Sequence, residues 1–194
     1  MAHTEVYALG RLIVDLYAEQ LHTPLEEVST FRKYLGGSAA NTAFGLARLG
    51  ARAGLISRVG PDDFGVYLLN TLKNEGVDTS MIAVDPTYPT GLAFAAIFPP
   101  ADSRVLFYRK PCADIHLSID DLDYDKLKKA KILTVAGTAL CESPSREAVF
   151  AALDAHKSAG GLNVMDIDWR PTLWEDHAAA RIYYKQALKM TDVV

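Results

Sequence analysis

The sequence is poor in the residues that build metal centres and disulfide frameworks. It contains two cysteines, Cys112 and Cys141, with no CxxC pair, and five histidines that share no metal-ligand spacing. Structural metal sites need clustered Cys and His ligands, and secreted disulfide scaffolds need many cysteines. We therefore predict no metal-ligating residues in this chain, reduced thiols, and a cytoplasmic location.

The sequence also lacks a basic cluster and a long apolar run. The net charge is −4, and the first ten residues, MAHTEVYALG, have no apolar core of the kind found in secretory signals. Nucleic acids and anionic membranes bind surfaces rich in Lys and Arg, and a membrane-spanning helix needs about 20 apolar residues. We expect neither a nucleic acid nor a membrane as a partner.

Three common motifs of nucleotide enzymes and hydrolases are missing. GLARLGAR has the glycine spacing of a P-loop, but Ala51 and Arg52 stand where Lys and Ser or Thr are required. No GxGxxG follows the first predicted strand, and there is no GxSxG. These absences exclude P-loop NTPases, dinucleotide-binding domains of the common type, and enzymes with a serine nucleophile elbow.

What is present is an alternation of buried strands and amphipathic helices at both ends of the chain. This alternation predicts an α/β fold with a doubly wound, mostly parallel sheet and helices on both faces. TDVV (191–194) resembles the opening of a further strand, so we expect the chain to be an N-terminal portion of a longer protein. The predicted buried strands are 5–10, 53–60, 131–137 and 162–168.

The middle of the chain has a different residue pattern, without the alternation of strands and helices. MIAVD, TGLAFAAIFP and RVLFYRK are β-rich runs separated by Pro and Gly, which is typical of a meander rather than of βαβ units. Together with 12–35, this region predicts a small β-sheet that projects from the main sheet as a lid. The predicted boundaries are 1–11, 36–90 and 115–194 for the core, and 12–35 and 91–114 for the lid.

The most informative stretch is YLGGSAANTAFGLARLG, residues 34–50. Gly36 and Gly37 can adopt backbone angles closed to other residues and can let a ligand approach the main chain. Asn41 offers one donor and one acceptor group, which suits a pair of sugar hydroxyls. The alternative is a tight strand-to-helix turn in which Asn41 bonds locally.

Charged residues at the ends of predicted strands are further candidates. Asp15 lies among apolar neighbours in GRLIVDLY, and Arg109 ends a β-rich run in FYRKP. A half-buried carboxylate needs donors such as carbohydrate hydroxyls, and a guanidinium pairs with a carboxylate or a phosphate. The alternatives are that Asp15 lies on the solvent-exposed face of its strand and that Arg109 lies at a solvated strand end.

The stretch MDIDWRPTLW follows the last complete predicted strand. Ligands of open α/β sheets collect beyond the carboxyl ends of the strands, where Asp166, Asp168 and Arg170 are expected. These side chains form a candidate cluster for binding an anion. The alternative is that Asp168 and Arg170 pair with each other and clamp the turn.

Taken in order, these motifs resemble the N-terminal part of the ribokinase-like (PfkB) sugar kinases. The matching elements are GRLIVD, GGSAANTAFGLARLG, GPDDFG, the β-rich lid segment and DIDWRP. The resemblance covers essentially the whole chain, which corresponds to about two thirds of the usual family length. The second signature of the family, which carries the catalytic aspartate and most ATP-binding residues, would lie beyond residue 194.

The resemblance implies ATP and Mg²⁺ as cofactors and phosphorylation of the primary hydroxyl of a sugar acid. It implies that Asp15, Gly36, Gly37 and Asn41 hold the sugar hydroxyls. Because the catalytic aspartate would lie beyond residue 194, we expect this portion alone to be inactive. The other implied contacts are Arg109 and Arg170 to the substrate carboxylate or the phosphoryl group, and Asp168 to the cofactor.

The segment AGTALCESPSREAVFAAL followed by DIDWRPTLW is similar to members of the family that act in inositol catabolism. That similarity implies 5-dehydro-2-deoxy-D-gluconate as the substrate. The alternatives are 2-keto-3-deoxygluconate, whose kinases usually carry Asn in place of Asp168, and a sugar-binding module without catalysis. Leu92, Phe94, Ala96 and Phe98 alternate along one apolar face of the lid. This face packs either on the lid of a second subunit, giving a homodimer, or on the core of its own chain.

Overall fold

The computed structural model describes residues 3–100 and 103–194. Within these residues the chain forms nine β-strands and five α-helices, joined by short loops and 3₁₀ turns. The strands are β1 Val6–Leu9, β2 Ile13–Ala18, β3 Phe31–Gly36, β4 Ala53–Val59, β5 Asp78–Val84, β6 Leu92–Ala96, β7 Arg104–Tyr108, β8 Ile132–Ala136 and β9 Leu162–Asp166. The helices are α1 Ser38–Arg48, α2 Asp63–Asn74, α3 Tyr124–Lys129, α4 Ser145–Ser158 and α5 His177–Leu188.

The main sheet has five strands in the order β5-β4-β1-β8-β9, and every neighbouring pair is parallel. Val193 forms a parallel bridge to Val164 of β9, so the TDVV segment pairs at the outer edge as the sequence predicted. The predicted doubly wound parallel sheet is confirmed. The chain runs outward from β1 to one edge and then from β8 to the other, which creates a switch point between these two strands.

Helices cover both faces of this sheet because side chains of successive strand residues point to opposite sides. Tyr7 and Leu9 of β1 pack into a core that also contains side chains of α3, α4 and α5. Ala8, between them, packs into a second core with α1 and α2, where Leu68 and Leu72 are fully buried. Each of these leucines contributes about 1.5–3 kcal/mol by leaving water.

The second sheet has four strands in the order β3-β2-β6-β7. β2 is parallel to β6, while the β2–β3 and β6–β7 pairs are antiparallel. The predicted three-run meander is therefore wrong at its first run, because MIAVD forms the end of β5 in the main sheet, parallel to β4. Only TGLAFAAIFP and RVLFYRK contribute neighbouring strands to the small sheet.

Local hydrogen bonds fix the junction between the two sheets. Asp62 caps α2 by accepting from the main-chain N–H of Gly65 at 2.8 Å, and its other oxygen accepts from the N–H of Thr90 at 2.7 Å. One side chain thus joins the start of a core helix to the segment that leads into β6. None of the helices in the described part of the chain is long and apolar enough to cross a membrane.

Candidate functional site

A cavity of about 240 Å³ lies where the carboxyl end of β1 meets the small sheet and the start of α1. It opens beside the switch point of the main sheet, the place where open α/β folds bind their ligands. Charged, amide and apolar groups share its walls, as they do in sites for small polar molecules. Among the lining residues are Arg11, Asp15, Gly37, Asn41, Phe107 and Arg170.

Gly36 and Gly37 form a corner that leaves no room for a side chain. A Cβ atom on Gly36 would overlap the carboxylate of Asp15, and a Cβ atom on Gly37 would overlap the main-chain carbonyl of Arg11. Gly37 also has φ +102°, which side-chain-bearing residues rarely adopt. The two glycines therefore bring β2, the carboxyl end of β1 and the start of α1 into close contact.

Asp15 projects from β2 and lines the cavity. No described residue donates a hydrogen bond to its carboxylate, although the side chain is partly buried. Burial raises the pKa of Asp15 to about 6, and the positive charge of Arg11 acts in the opposite direction. At neutral pH this group is an ionised acceptor without a donor among the described residues, which favours a ligand that brings hydroxyl groups.

Asn41 lies in the first turn of α1 with its side chain at the cavity. Its main-chain N–H donates to the carbonyl of Gly37 at 2.8 Å, as the helix requires. The side-chain amide makes no hydrogen bond to any described residue, so the local bond considered as an alternative is not observed. The amide has both donor and acceptor available for a ligand.

Asp168 joins three elements at the carboxyl edge of the sheet. Its Oδ2 accepts from the hydroxyl of Ser38 in α1 at 2.6 Å and from the hydroxyl of Thr138 after β8 at 3.1 Å. Its own N–H donates to Asp166 Oδ1 at 3.0 Å, in a turn where Asp168 has φ +37°. Asp tolerates this left-handed conformation better than most residues do.

Two arginines also contact Asp168. Arg170 Nη2 lies 3.0 Å from Asp168 Oδ1, and Arg11 Nη2 lies 3.6 Å from Oδ2. The turn clamp considered as an alternative is present, yet Arg170 is half exposed and lines the cavity. The cofactor contact expected of Asp168 is not favoured, because its oxygens are already engaged and an ionised carboxylate has no hydrogen to donate to a phosphate.

Sequence reasoning missed Arg11, Ser38 and Thr138 as parts of this site. Arg11 and Thr138 follow buried parallel strands, so a position just after β1 and β8 was the signal that could have found them. Ser38 starts α1 inside the glycine-rich stretch, where its small size is typical of the neighbouring residues and gives no separate signal. Its hydrogen bond to Asp168 spans 130 residues of sequence, and no local pattern reports such a contact.

Arg109 does not line the cavity and its guanidinium is already paired, so the substrate contact expected of it is not supported. Its guanidinium is buried, donates to Asp114 Oδ2 at 2.8 Å and lies 3.3 Å from Cys141 Sγ. Burial alone would lower the pKa of Arg109, but the Asp114 carboxylate outweighs it and the pKa is raised. The alternative of a solvated strand end is wrong, since the Arg109 side chain is buried and paired with Asp114 in the loop after β7.

A larger groove of about 890 Å³ lies at the opposite, amino end of the strands. On its floor the hydroxyls of Thr4 and Tyr7 both donate to Asp78 Oδ2 at 2.8 Å. These polar groups satisfy one another, whereas Asp15 and Asn41 in the smaller cavity have no partner within the described protein. We therefore place the candidate site at the smaller cavity.

The described residues contain no group of three or more His, Cys, Asp or Glu side chains that could hold a metal ion. Asp166 and Asp168 are close in sequence, but Asp168 is already bonded to Ser38, Thr138 and Arg170. These residues do not fit a Mg²⁺ ion, and we derive no step through one from this chain.

Two curated relatives share high similarity with the chain. It is 47% identical over 188 residues to the 5-dehydro-2-deoxygluconokinase of Geobacillus kaustophilus (strain HTA426), covering 96% of this chain and 56% of that protein. It is 43% identical over 191 residues to the 5-dehydro-2-deoxygluconokinase of Clostridium tetani (strain Massachusetts / E88), covering 98% and 56%. The chain thus spans about half the length of the curated relatives it matches.

Solved structures of sugar kinases share the fold. An uncharacterized sugar kinase from Pyrococcus horikoshii in complex with ATP matches with a TM-score of 0.91 and 32% identity, covering 97% of this chain and 62% of that one. A fructokinase from Xylella fastidiosa with bound ATP matches with a TM-score of 0.88 and 25% identity, covering 99% and 61%.

The family comparison covers nearly every residue described here. The model of the pfkB family carbohydrate kinases matches residues 3–194, from the first strand to the bridge at the end of the sheet. The glycine corner, the cavity and the aspartate cluster all lie inside this match. The chain belongs to the pfkB family of carbohydrate kinases.

Proposed function

We propose that this chain is the sugar-binding part of a kinase that uses ATP to phosphorylate the primary hydroxyl of a sugar acid. The substrate that fits best is 5-dehydro-2-deoxy-D-gluconate, an intermediate of inositol catabolism. The observation that carries the proposal is a cavity at the switch point in which Asp15 and Asn41 have no hydrogen-bonding partner among the described residues. The printed names of the curated relatives support the choice of substrate.

Asp15 and Asn41 supply complementary contacts for a polyol. The Asp15 carboxylate accepts from two hydroxyl groups, and the Asn41 amide donates to one oxygen and accepts from another hydroxyl. The corner at Gly36 and Gly37 lets the sugar lie against the main chain. These contacts fix the orientation of the acceptor hydroxyl, and positioning is a main source of rate enhancement in phosphoryl transfer.

Arg170 is the group of this chain that fits the phosphate side of the reaction. Its guanidinium is half exposed at the cavity and is held at 3.0 Å by Asp168. ATP, when bound, supplies the phosphoryl group, and a positioned arginine neutralises charge that develops on it. We propose that Asp168 acts by orienting Arg170, with Ser38 and Thr138 fixing the carboxylate in turn.

The small sheet is proposed to act as the lid. Its inner face carries Ala93, Ala95 and Phe107 along the cavity wall, opposite the glycine corner. Apolar groups over the sugar exclude water, which otherwise competes with the hydroxyl as acceptor. The proposed boundaries of the lid are 12–35 and 91–114, and those of the core are 1–11, 36–90 and 115–194.

The opposite face of the small sheet is proposed to pack on a second copy of the chain. Leu92, Phe94, Leu106 and Tyr108 line an apolar groove of about 460 Å³ there, and Tyr108 is 61% exposed. Exposed apolar patches of this kind mark interaction sites. A monomeric mass in solution for the full-length polypeptide contradicts this part of the proposal. The cytoplasm is the proposed location, because both cysteines are free thiols.

The decisive experiment is a kinase assay on the full-length polypeptide with ATP and two sugar acids. We expect faster turnover of 5-dehydro-2-deoxy-D-gluconate than of 2-keto-3-deoxygluconate, with phosphate on the primary hydroxyl. The reverse preference supports the second substrate. Binding of a sugar acid without any ATP-dependent product supports a non-catalytic module instead.

A further inference from the structure

Arg11 is a buried cation whose hydrogen-bonding groups are largely unused. The residue is 6% exposed, and neither Nε nor Nη1 has a hydrogen-bond partner among the described residues. Its only carboxylate contact within 4 Å in the described chain is Asp168, at 3.6 Å from Nη2, which is too long for a good hydrogen bond. The guanidinium also lies 5.1 Å from the ring centroid of Phe107.

Two other arginines of the chain, Arg58 and Arg109, have the ion pairs and hydrogen bonds that are typical of a structural role. Arg58 donates from Nε to Asp121 at 2.7 Å and from Nη1 to Asp85 at 2.8 Å. Arg109 is paired with Asp114 and also donates to a main-chain carbonyl. Leaving a buried charged donor unpaired is costly, so proteins pair such groups. Arg11 departs from this pattern at the wall of the sugar cavity.

The charges around Arg11 favour an anion as the missing partner. Asp168 is shared with Arg170 and is further bonded to two hydroxyls, so it does not neutralise Arg11 alone. Asp15 is committed to sugar hydroxyls in the proposed function. Burial and the nearby charge of Arg109 lower the pKa of Arg11, while Asp168, Asp114 and Asp15 act in the opposite direction. Asp114 is already paired with Arg109, so none of the three carboxylates is an unshared partner for Arg11.

We propose that Arg11 binds the carboxylate of the sugar acid and sets the preference for acids over neutral sugars. This inference rests on the proposed function and names the residue that recognises the charged end of the substrate. Because Nε and Nη1 are buried, binding of the anion requires the guanidinium to turn from Asp168 toward the cavity. The long contact with Asp168 makes this turn easy, since Asp168 keeps Ser38, Thr138 and Arg170.

The test compares two substrates with the full-length polypeptide and its Arg11→Met variant. One substrate is 5-dehydro-2-deoxy-D-gluconate, and the other is its neutral analogue with CH₂OH in place of the carboxylate. Because hydrogen bonds to charged groups contribute about 1.5–3 kcal/mol, we expect the ratio of kcat/KM values for acid over analogue to fall roughly 10- to 100-fold. The loss appears mainly as a higher KM for the acid, and turnover of the analogue changes little.

Two further variants separate recognition from stability. Arg11→Lys keeps the charge but loses the planar fork, so we expect a smaller fall in the ratio, of at least about threefold. Arg58→Met removes an arginine that is ion-paired and does not line the cavity, and it should lower stability without changing the ratio. If Arg11→Met does not fold, the Arg11→Lys ratio decides the question.

The outcomes distinguish this inference from the proposed function. A wild-type protein that phosphorylates the acid while both Arg11 variants keep its preference overturns the inference alone. An equal loss on both substrates also overturns it, because it indicates a structural role for Arg11. A wild-type protein that phosphorylates no sugar acid overturns the proposed function and the inference together.

Discussion

At the residue scale, the glycine corner links a backbone conformation that only glycine adopts easily to the proposed binding of the sugar. Gly37 begins α1 with φ +102° and packs against the carbonyl of Arg11. We predict that Gly37→Ala destabilises the protein by about 1–3 kcal/mol, the usual cost of holding a side-chain-bearing residue in such a conformation. Sugar-acid affinity should fall with it, because the corner must open to relieve the overlap.

A matched glycine in the same helix provides the control for this prediction. A Cβ atom on Gly45 would meet nothing within 4 Å. Gly45→Ala should therefore stabilise α1 by about 0.5–1 kcal/mol through its better helix propensity. Urea denaturation measures both variants, and equal effects of the two substitutions would contradict the proposed role of the corner.

The raised pKa of Asp15 predicts a pH-dependent cost of folding. Burial raises this pKa from 3.8 to about 6, so the native protein binds more protons than the unfolded chain between those values. The contribution of Asp15 to the free energy of unfolding therefore falls as pH rises through this window. We expect Asp15→Asn to match the wild type in Tm near pH 4 and to exceed it increasingly up to about pH 7.

Thermal unfolding at several pH values checks the Asp15 prediction. The relevant quantity is the difference in Tm between Asp15→Asn and the wild type, which cancels the titration of all other groups. A difference that is flat between pH 4 and pH 7 argues against a buried, desolvated carboxylate. Asp15→Asn should also weaken sugar-acid binding at pH 7, because an amide is a poorer acceptor than a carboxylate.

Several of the predicted site residues line the candidate cavity, and their signals in the sequence are local. Glycines before a helix and an Asn in its first turn fit either a ligand-binding corner or a tight turn at 36–41, and the family resemblance favours the first. Arg11 lines the cavity and Arg109 does not, and no local signal separates them because both are large cations next to β-strands. What separates them is the partner: Arg109 meets Asp114, and Arg11 meets only a distant Asp168. Such pairings depend on loop paths that the sequence does not encode locally.

At the scale of elements, strand identity was easier to predict than strand neighbours. The pattern of MIAVD correctly predicts an extended segment, but the Pro and Gly that follow it favour the meander. Its place is β5, where it is parallel to β4 after the crossover through α2. A short β-rich run carries the same pattern in either sheet, so the choice is made by the tertiary partner.

One buried amide joins three elements at the far edge of the main sheet. Asn163 of β9 donates from Nδ2 to the carbonyls of Leu153 and Met190, both at 2.9 Å. Its Oδ1 lies 2.7 Å from Nδ1 of the fully buried His156 in α4. The strand, the helix and the segment after α5 therefore share one side chain.

We predict that Asn163→Ala is among the more damaging single substitutions outside the site. Each buried partner left unsatisfied costs about 1–3 kcal/mol, so the free energy of unfolding should fall by at least about 2 kcal/mol. Asn70→Ala, at an exposed position of α2, is the control and should change stability by less than about 0.5 kcal/mol. Similar denaturation midpoints for the two variants would show that the amide network contributes little.

At the scale of the whole molecule, each of the two sheets contributes different residues to the proposed site. The parallel sheet brings the carboxyl ends of β1, β8 and β9 together, which places Arg11, Thr138 and Asp168 at one edge. The small sheet brings Asp15 over that edge from a different direction. The site exists only where the two sheets meet, so its affinity depends on how the small sheet is held.

This arrangement predicts that binding and turnover are separable properties. The described residues supply a sugar cavity, but none of them is assigned as the base that accepts the proton of the substrate hydroxyl. We therefore expect residues 1–194, purified and shown to be folded by circular dichroism, to bind 5-dehydro-2-deoxy-D-gluconate in calorimetry. The same preparation should form no phosphorylated product with ATP, whereas the full-length polypeptide should.

Binding and phosphorylation are measured separately for residues 1–194 and for the full-length polypeptide, so each possible result has a distinct meaning. Measurable phosphorylation by residues 1–194 would mean that a base is present in this chain, and Asp15 would be the first group to test because its pKa is raised to about 6. Weak binding by residues 1–194 with tight binding by the full-length polypeptide would mean that the remaining residues also contact the sugar. Equal affinity in both, with turnover only in the longer chain, is the result that the geometry of the cavity supports, since Asp15, Asn41 and Arg11 already surround it.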